Sequence, residues 1–168
     1  GSTVYVGGAF TTVCGAGSSC EQTSQTRNRL AAFGTDGTLV AAFDPNLSNT
    51  VSALAVSGST VYVGGAFTSA CGAVSSCGST VTRNRVAAFG TDGTITSWNP
   101  NVNGNVSALA VGGSTVYVGG AFTTACGVGS SCDPTSQTRN RLAAFGTGGA
   151  LVAAFNPNLV GSVSALAL

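Results

Sequence analysis

Apolar residues along this chain fall into short runs, separated by stretches rich in glycine, serine, threonine and asparagine. The run Val51–Val56 shows partial alternation of apolar and small polar positions, which is typical of a half-buried strand. The next segment, Ser59–Gly64, is rich in valine and tyrosine, and Ser57-Gly58 between the two runs favours a tight hairpin turn. The pattern therefore predicts an antiparallel pair of strands.

Two further strands are predicted in the same stretch of chain. Arg85–Phe89 is the third and Thr94–Trp98 the fourth, because the Asp92-Gly93 pair between them is a strong hairpin signal. Pro100 should end the fourth strand, since proline cannot donate to a central ladder. Glycine alone contributes 25 residues, and glycine, serine, threonine and valine fill these segments, so helices are not expected.

The whole pattern repeats. The stretch Val4–Phe10 returns unchanged as Val61–Phe67 and again as Val116–Phe122. Over the 56 aligned positions of the first and third copies, 45 residues are identical. The glycine pair inside each stretch removes side chains at a strand end, which predicts that another backbone approaches closely there.

Three repeats result, and their boundaries lie at 1–57, 58–112 and 113–168. Four short antiparallel strands per repeat of about 56 residues predict an all-β fold of tandem blades like those of a β-propeller. We expect an open or assembled array cut as a window from a longer or polymerising protein, and a β-solenoid is the alternative architecture. The aromatic residues that recur in the strands are predicted to be mostly buried between neighbouring sheets: Phe10, Phe33, Phe43, Phe67, Phe89, Trp98, Phe122, Phe145 and Phe155.

The order of motifs resembles the bacterial delta-60 repeat, a propeller-forming repeat family. The shared motifs are Val-Tyr-Val-Gly-Gly-Ala-Phe and then Arg-Asn-Arg-Leu-Ala-Ala-Phe-Gly-Thr-Asp-Gly-Thr, and the resemblance covers all three repeats. The glycine pair after a tyrosine-containing strand is more weakly similar to kelch repeats. The resemblance implies a secreted or surface-exposed prokaryotic protein without catalytic residues to carry over. Paired cysteines and very low charge depart from the family pattern.

The six cysteines form three pairs, each with five residues between its members. Six cysteines allow 15 pairings, but the repetition favours one local disulfide per repeat, which implies an oxidising compartment. Free buried cysteines are the alternative. A metal site would need histidine or a second cysteine pair nearby, and the chain has no histidine. The pairs are Cys14 with Cys20, Cys71 with Cys77, and Cys126 with Cys132.

Charged residues make up 7% of the chain, the net charge is +1, and every basic residue is an arginine. The arginines form the pairs Arg27 and Arg29, Arg83 and Arg85, and Arg139 and Arg141. Their i, i+2 spacing would place each pair on one face of an extended segment. We expect a structural role, donating to loop carbonyls or stacking on aromatic rings, with a repeated anion site as the alternative. Asp44 becomes Asn99 and Asn156 in the other repeats, so an ion pair at this position cannot recur.

Composition argues against several classes of function. So few positive charges give no basic face for nucleic acid, and no apolar run approaches the roughly 18 residues needed for membrane insertion. The few carboxylates are scattered over unlike positions, so we expect no enzyme activity. Asp44-Pro45-Asn46 is interpreted as a turn rather than a calcium loop, because the other copies lack the carboxylate. Neither a cofactor nor a metal ion is expected.

The two ends of the chain carry complementary strands. The first-strand sequence recurs as Val163, Ser164, Ala165, Leu166, Ala167 and Leu168, and the chain opens on a second strand formed by Thr3, Val4, Tyr5 and Val6. An unpaired edge templates pairing with another chain, so we expect head-to-tail association with further copies or repeats. The function expected is that of an extracellular structural protein in a filament or surface layer. A closed propeller that binds a glycan or protein partner is the alternative.

Overall fold

The computed structural model describes residues 2–17, 19–72, 80–128 and 136–168. The regular secondary structure of the described residues consists of short strands and one helix of four residues, α1 (Cys20–Thr23). The strands are β1 (Thr3–Gly7), β2 (Thr12–Val13), β3 (Gln25–Thr26), β4 (Leu30–Gly34), β5 (Asn46–Leu47), β6 (Val51–Ser57), β7 (Thr60–Gly65), β8 (Ser69–Cys71), β9 (Val81–Thr82), β10 (Val86–Gly90), β11 (Asn101–Val102), β12 (Val106–Gly112), β13 (Thr115–Gly120), β14 (Thr124–Cys126), β15 (Gln137–Thr138) and β16 (Leu142–Gly146).

Three main sheets follow one another along the chain. Main sheet 1 pairs β1 with β4, main sheet 2 has the order β10-β7-β6, and main sheet 3 joins β12, β13 and β16 in the same way. All neighbours are antiparallel, and Val61 lies opposite Phe89 as Val116 lies opposite Phe145. Strand β6 belongs to the first sequence repeat but to main sheet 2. Main sheets 2 and 3 therefore each cross a repeat boundary, and the all-β prediction is confirmed.

The predicted fourth strand does not form. Within Thr94–Trp98, only Ile95 bridges to the sheet, opposite Phe89. Both the backbone nitrogen and the Oγ1 of Thr96 donate to the carbonyl of Ala88, at 2.9 Å and 3.0 Å, and Oγ1 also accepts from the backbone nitrogen of Trp98. The same single bridge forms at Leu39 and Leu151, where valine stands in place of Thr96, and the carbonyls of Val40 and Val152 accept from the backbone nitrogens of Phe43 and Phe155 at 3.1 Å. The chain therefore turns away after one bridge, whether or not a hydroxyl is present. The prediction of four-stranded sheets is wrong in this respect.

Three small sheets lie beside the main ones. Small sheet 1 pairs β2 with β3, small sheet 2 has the order β5-β8-β9, and small sheet 3 the order β11-β14-β15. In the second and third of these, one strand comes from the preceding repeat: Asn46 lies opposite Cys71, and Asn101 opposite Cys126. Consecutive repeats are therefore joined by shared ladders as well as by packing.

The hydrophobic core lies between consecutive main sheets. One cluster brings Leu30 and Phe43 of the first repeat against Val61 and Phe89 of main sheet 2. A second cluster brings Tyr62 and Trp98 against Val116, Phe122 and Phe145, among others. The ring of Trp98 lies edge-on to Phe145 at 6.3 Å, and its Nε1 donates to the carbonyl of Gly146 at 3.0 Å. The first junction packs equivalent residues, but Phe43 takes the place of Trp98 there and has no N–H for such a bond.

The predicted burial of the aromatic residues holds for most positions. Six of the nine rings are buried, namely Phe43, Phe67, Phe89, Trp98, Phe122 and Phe145. Phe10, Phe33 and Phe155 are half-buried. Phe33 lies in β4 of main sheet 1, and Phe10 and Phe155 lie in loops beside the first and last main sheets. Among the described residues, no further main sheet covers these three rings.

The glycine pair allows the close backbone approach that its sequence predicts. A Cβ atom added to Gly65 would lie 2.1 Å from the carbonyl oxygen of Thr50, and one added to Gly120 would lie 2.1 Å from that of Asn105. No side chain larger than hydrogen fits between these backbones. The second glycine of the pair is therefore required wherever a preceding strand lies alongside.

Candidate assembly interface

The first arginine of each pair is held by backbone carbonyls. Arg27 donates to the carbonyls of Thr26 and Ala41, at 2.7 Å and 3.1 Å, and is 5% exposed. Arg83 and Arg139 repeat these bonds, and burial lowers the pKa of Arg83 from its usual value. These guanidinium groups hold the loops together, which leaves little of them for a ligand.

The second arginine of each pair adopts a left-handed backbone conformation. Arg29, Arg85 and Arg141 have φ angles of 73°, 70° and 70°. Each also donates from its Nη1 to a carbonyl just after the glycine pair, that of Ala9, Ala66 or Ala121. The segment is therefore not extended at this point. The expectation that each pair shares one strand face is wrong, because the turn sends the two side chains to different loops.

A salt bridge is present in the first repeat. Arg27 lies 3.5 Å from the carboxylate of Asp44. The equivalent residues Asn99 and Asn156 carry no charge, so the ion pair has no counterpart at those positions. The bonds from the first arginine to backbone carbonyls are thus present in all three copies, and the ion pair with Asp44 is added to them in the first.

In the first repeat, a disulfide bond joins the predicted pair of cysteines. Cys14 is bonded to Cys20, and α1 begins at Cys20. Cys71 and Cys126 are disulfide-bonded as well. Their predicted partners Cys77 and Cys132 lie outside the described residues. Cys71 and Cys126 end strands β8 and β14 and lie opposite Asn46 and Asn101 of the preceding repeat, whereas Cys14 directly follows β2.

The hairpin turns after β4 and β10 are closed by aspartate. Oδ1 of Asp36 accepts from the backbone nitrogen and the Oγ1 of Thr38, at 3.0 Å and 2.7 Å. Asp92 and Thr94 repeat this geometry. The hydroxyl and amide bonds stabilise the charged carboxylate, so the pKa of each aspartate lies below its ordinary value of 3.8.

We expect both aspartates to titrate below 3.8 in the folded protein. Since the folded pKa is depressed, the contribution to stability is present above the unfolded pKa and is lost as the pH falls through the folded value. Carboxylate ¹³C NMR would measure both titrations. Thr38→Val and Thr94→Val should each return the neighbouring pKa towards 3.8, and a carboxylate that titrates at or above 3.8 in the parent would contradict the turn geometry.

Other kinds of site find no support in the described part of the chain. No group of three histidine, cysteine, aspartate or glutamate side chains lies close enough there to hold a metal ion. No helix in the same ranges is long and apolar enough to cross a membrane. The features that stand out are instead the edges and faces of the first and last main sheets.

Strand β1, which contains the predicted assembly residues Thr3, Val4, Tyr5 and Val6, has one open edge. Its only hydrogen-bonded neighbour among the described residues is β4, whereas the equivalent strands β7 and β13 lie between two neighbours. Val4 is 49% exposed, although the equivalent Val61 and Val116 are fully buried. Main sheet 1 therefore presents an unpaired edge and an uncovered apolar face.

The segment 163–168 lies where a first strand would be. A Cβ atom on Gly119 would lie 2.5 Å from Cγ1 of Val163, and the same construction on Gly64 gives 2.4 Å to Val106. The backbone nitrogen of Val163 donates to the carbonyl of Gly120 at 3.2 Å. This segment therefore packs on main sheet 3 in the same way that β6 packs on main sheet 1 and β12 packs on main sheet 2. Among the described residues, however, it belongs to no ladder.

Main sheet 3 also leaves an apolar face partly open. Tyr117 and Phe155 lie edge-on at 5.2 Å, as Tyr62 and Trp98 do at 5.1 Å inside the protein. These two rings line a cavity of about 320 Å³ together with Leu142, Leu166 and Leu168. At the internal junctions, the valines and phenylalanine of the next sheet cover this face.

The small sheets carry contacts that the sequence reasoning missed. Asn28 donates from Nδ2 to Oδ1 of Asn46 at 2.8 Å, and Asn140 donates to Asn158 at 3.3 Å. The sequence contains a signal for these contacts, since Pro-Asn recurs after each fourth-strand region. That dipeptide was interpreted only as a turn. In the structure it introduces the strand that joins one repeat to the next.

Comparison with known proteins gives no match: no family model fits the chain, and no curated protein or solved structure resembles it at a significant level. The resemblance to the delta-60 repeat stays a prediction.

Proposed function

We propose that this chain is a structural extracellular protein whose copies associate head to tail into a filament. The segment 163–168 of one copy would pair with β1 of the next, completing a three-stranded main sheet from two molecules. The observation that carries the proposal is the match between these two open edges and the internal junctions. The sequence Val-Ser-Ala-Leu-Ala fills the same edge at β6 and at β12.

The internal register predicts the pairs across the junction. Leu54 lies opposite Val63 and Ala55 opposite Tyr62. Transferred to the junction between copies, this places Leu166 opposite Val6 and Ala167 opposite Tyr5. A shift by one residue would turn every side chain to the wrong face, so this register is the one expected.

Burial of apolar surface would drive the association. The face of Val4, Val6 and Phe33 on one copy matches the face of Tyr117 and Phe155 on another, because the same residue types meet at the internal junctions. Removal of apolar area from water is worth about 25 cal/mol per Å². A chain with a net charge of only +1 opposes this contact with little repulsion.

Gly8→Ala is expected to abolish assembly while leaving the single molecule folded. Within one copy, a Cβ on Gly8 meets only the ring of Phe10, at 3.1 Å. At the equivalent internal positions, the added atom would lie 2.1 Å from a backbone carbonyl of the preceding strand. In an assembled junction, that carbonyl would belong to Ser162 of the neighbouring copy. Light scattering and negative-stain electron microscopy of the purified chain would measure the effect.

Gly148→Ala is the matched control, because a Cβ at that glycine has nothing within 4 Å and its φ is ordinary. It should assemble as the parent does. Circular dichroism should show the same fold for all three proteins. A parent chain that stays monomeric at high concentration, or a Gly8→Ala variant that assembles fully, would contradict the proposal.

An extracellular or cell-surface location belongs to the same proposal. The bond between Cys14 and Cys20 would persist in an oxidising environment and not in a reducing cytosol. Disulfide bonds in each repeat would also stabilise a filament, because they resist local unfolding of the loops they close. The protein's few charged residues are consistent with a scaffold that offers mainly hydroxyl and amide groups to its surroundings.

A closed ring is the second candidate, and one observation favours it. The segments Ser52–Leu54, Ser107–Leu109 and Ser164–Leu166 line a single cavity of about 270 Å³. First strands that converge in this way would surround the axis of a propeller, and two copies would supply six main sheets, within the roughly four to eight blades of known propellers. Such a disc would act as a binding module for a glycan or protein partner. Electron microscopy separates the candidates, since discs of fixed mass and filaments of variable length look different.

A further inference from the structure

We infer that the junction between copies has a second contact, in which Asn158 and Leu159 of one copy add a strand to small sheet 1 of the next, beside the Cys14–Cys20 disulfide. This inference rests on the proposed head-to-tail assembly and deepens it. The acceptor strand of this second contact is β2 rather than β1, and its donor is Asn158 and Leu159 rather than the segment 163–168. The disulfide end of β2 should therefore become part of the interface.

The internal small sheets show what the open one lacks. Strand β8 lies between β9 and β5, and β14 lies between β15 and β11. Strand β2 is equivalent to both, yet among the described residues it pairs with β3 alone. In the two complete small sheets, the additional neighbour is the two-residue strand contributed by the preceding repeat, and this is the neighbour that β2 lacks. A second copy offers the same segment at its own last repeat.

Asn158 and Leu159 are already held in position for this role. The backbone nitrogen of Leu159 donates to the carbonyl of Asn140 at 3.3 Å, as that of Leu47 donates to Asn28 at 3.2 Å. The side chain of Asn158 accepts from Asn140 in the same way that Asn46 accepts from Asn28. The donor segment therefore needs little ordering on association, which lowers the entropic cost of the contact.

Burial differs between the filled and the open positions. Leu159 is 38% exposed, whereas the equivalent Leu47 and Val102 are 4% and 2% exposed. On the acceptor strand, Cys14 is half-buried, whereas Cys71 and Cys126 are 2% and 1% exposed. The internal register places Leu159 opposite Val13 and Asn158 opposite Cys14. Association would thus bury an exposed leucine and cover the Cys14 sulfur.

The sulfur contact makes a chemical consequence measurable. A dithiol reductant breaks the Cys14–Cys20 bond by thiol–disulfide exchange: its two thiolates attack in turn, it leaves as a cyclic disulfide, and each cysteine sulfur takes up one proton at neutral pH. Attack requires access to a sulfur atom. A second copy on β2 would restrict that access, so the bond should be reduced more slowly in the assembly than in the free chain.

Leu159→Ser tests the contact, with Val160→Ser as the matched control on the neighbouring residue, which is 99% exposed. Leu159→Ser should raise the concentration needed for assembly about tenfold or more, and Val160→Ser should leave it unchanged. Val160→Pro is a further test and should also weaken assembly, because proline lacks the backbone N–H that should donate to the carbonyl of Thr12 of the next copy. Internally, Ser48 makes this bond to the carbonyl of Ser69 at 3.1 Å.

Reduction rates give the second readout. Mass-spectrometric mapping would follow Cys14–Cys20 reduction by dithiothreitol in the assembled parent and in the unassembled Gly8→Ala variant, and the parent should react several-fold more slowly. If the parent assembles but Leu159→Ser assembles equally well and the two reduction rates agree, this inference is wrong and the proposed function survives. If the parent chain never assembles, both fail together.

Discussion

Phe89→Ala should lower the free energy of unfolding by about 3–5 kcal/mol, the cost of emptying a fully packed aromatic site. Phe89 is fully buried, lies opposite Val61 in main sheet 2, and belongs to the cluster that joins this sheet to Leu30 and Phe43. Its removal opens a cavity between two sheets that cannot collapse easily, because ladders hold both. Urea unfolding at a concentration below assembly would measure the change.

Phe33→Ala is the matched control for this prediction. Phe33 occupies the equivalent place in main sheet 1, opposite Val4, but is only half-buried because no sheet covers that face among the described residues. Its loss should cost the single molecule less than about 2 kcal/mol. Equal effects of the two substitutions would mean that the sheets do not stack as described.

Much of the repeated core could be predicted from the sequence because local signals and packing agree there. The Val-Tyr-Val run, the Ser-Gly turn before it and the Asp-Gly turn after the third strand each favour one local structure. The glycine pair pointed to a close backbone approach, and the 2.1 Å between a Cβ on Gly65 and the carbonyl of Thr50 shows how close it is. The Cys14–Cys20 bond followed from the repeated spacing alone.

The predictions that failed concern turns, backbone conformations and very short strands, which residue patterns do not reveal. The predicted fourth strand is reduced to a single bridge at Leu39, Ile95 and Leu151, and in the first and third repeats a backbone turn closed by Phe43 or Phe155 follows directly. Arg85 takes a positive φ, a conformation that the i, i+2 spacing gives no hint of. The two-residue strands β5 and β11 are too short to give a periodic signal, and their partners lie about 25 residues further along the chain.

The candidate interface was predicted in part, for a related reason. The recurrence of Val-Ser-Ala-Leu-Ala at 163–167 predicted a segment equivalent to the first strand of a sheet. The sequence could not show that this segment packs against Gly119 and donates to the carbonyl of Gly120 within the same molecule. Nor could it show the small-sheet contact of Leu159, because the Pro-Asn segment was interpreted as a turn. Both facts depend on how one sheet lies on the next.

Gly65→Ala should lower the free energy of unfolding by about 3 kcal/mol or more, a large cost for the addition of one methyl group. The added Cβ would lie 2.1 Å from the carbonyl oxygen of Thr50 and 3.0 Å from the Cα of Val51. Both atoms belong to backbone, so no side-chain rotation relieves the contact. Relief requires β6 to move away from β7, which breaks ladder bonds and loosens the packing of β6 on main sheet 1. Thermal and urea unfolding would measure the loss.

Gly8→Ala provides the control for this substitution, because it makes the same chemical change at the same place in the first repeat. Its Cβ meets only atoms of the Phe10 ring, at 3.1 Å and 3.3 Å, and the ring can shift by a few tenths of an ångström. The unassembled chain should therefore lose less than about 1 kcal/mol. The contrast isolates the neighbouring strand as the cause, since it is present beside Gly65 and absent beside Gly8 within the described chain. If Gly65→Ala proved as mild as Gly8→Ala, the β6–β7 pairing would be wrong, and with it the template for the junction between copies.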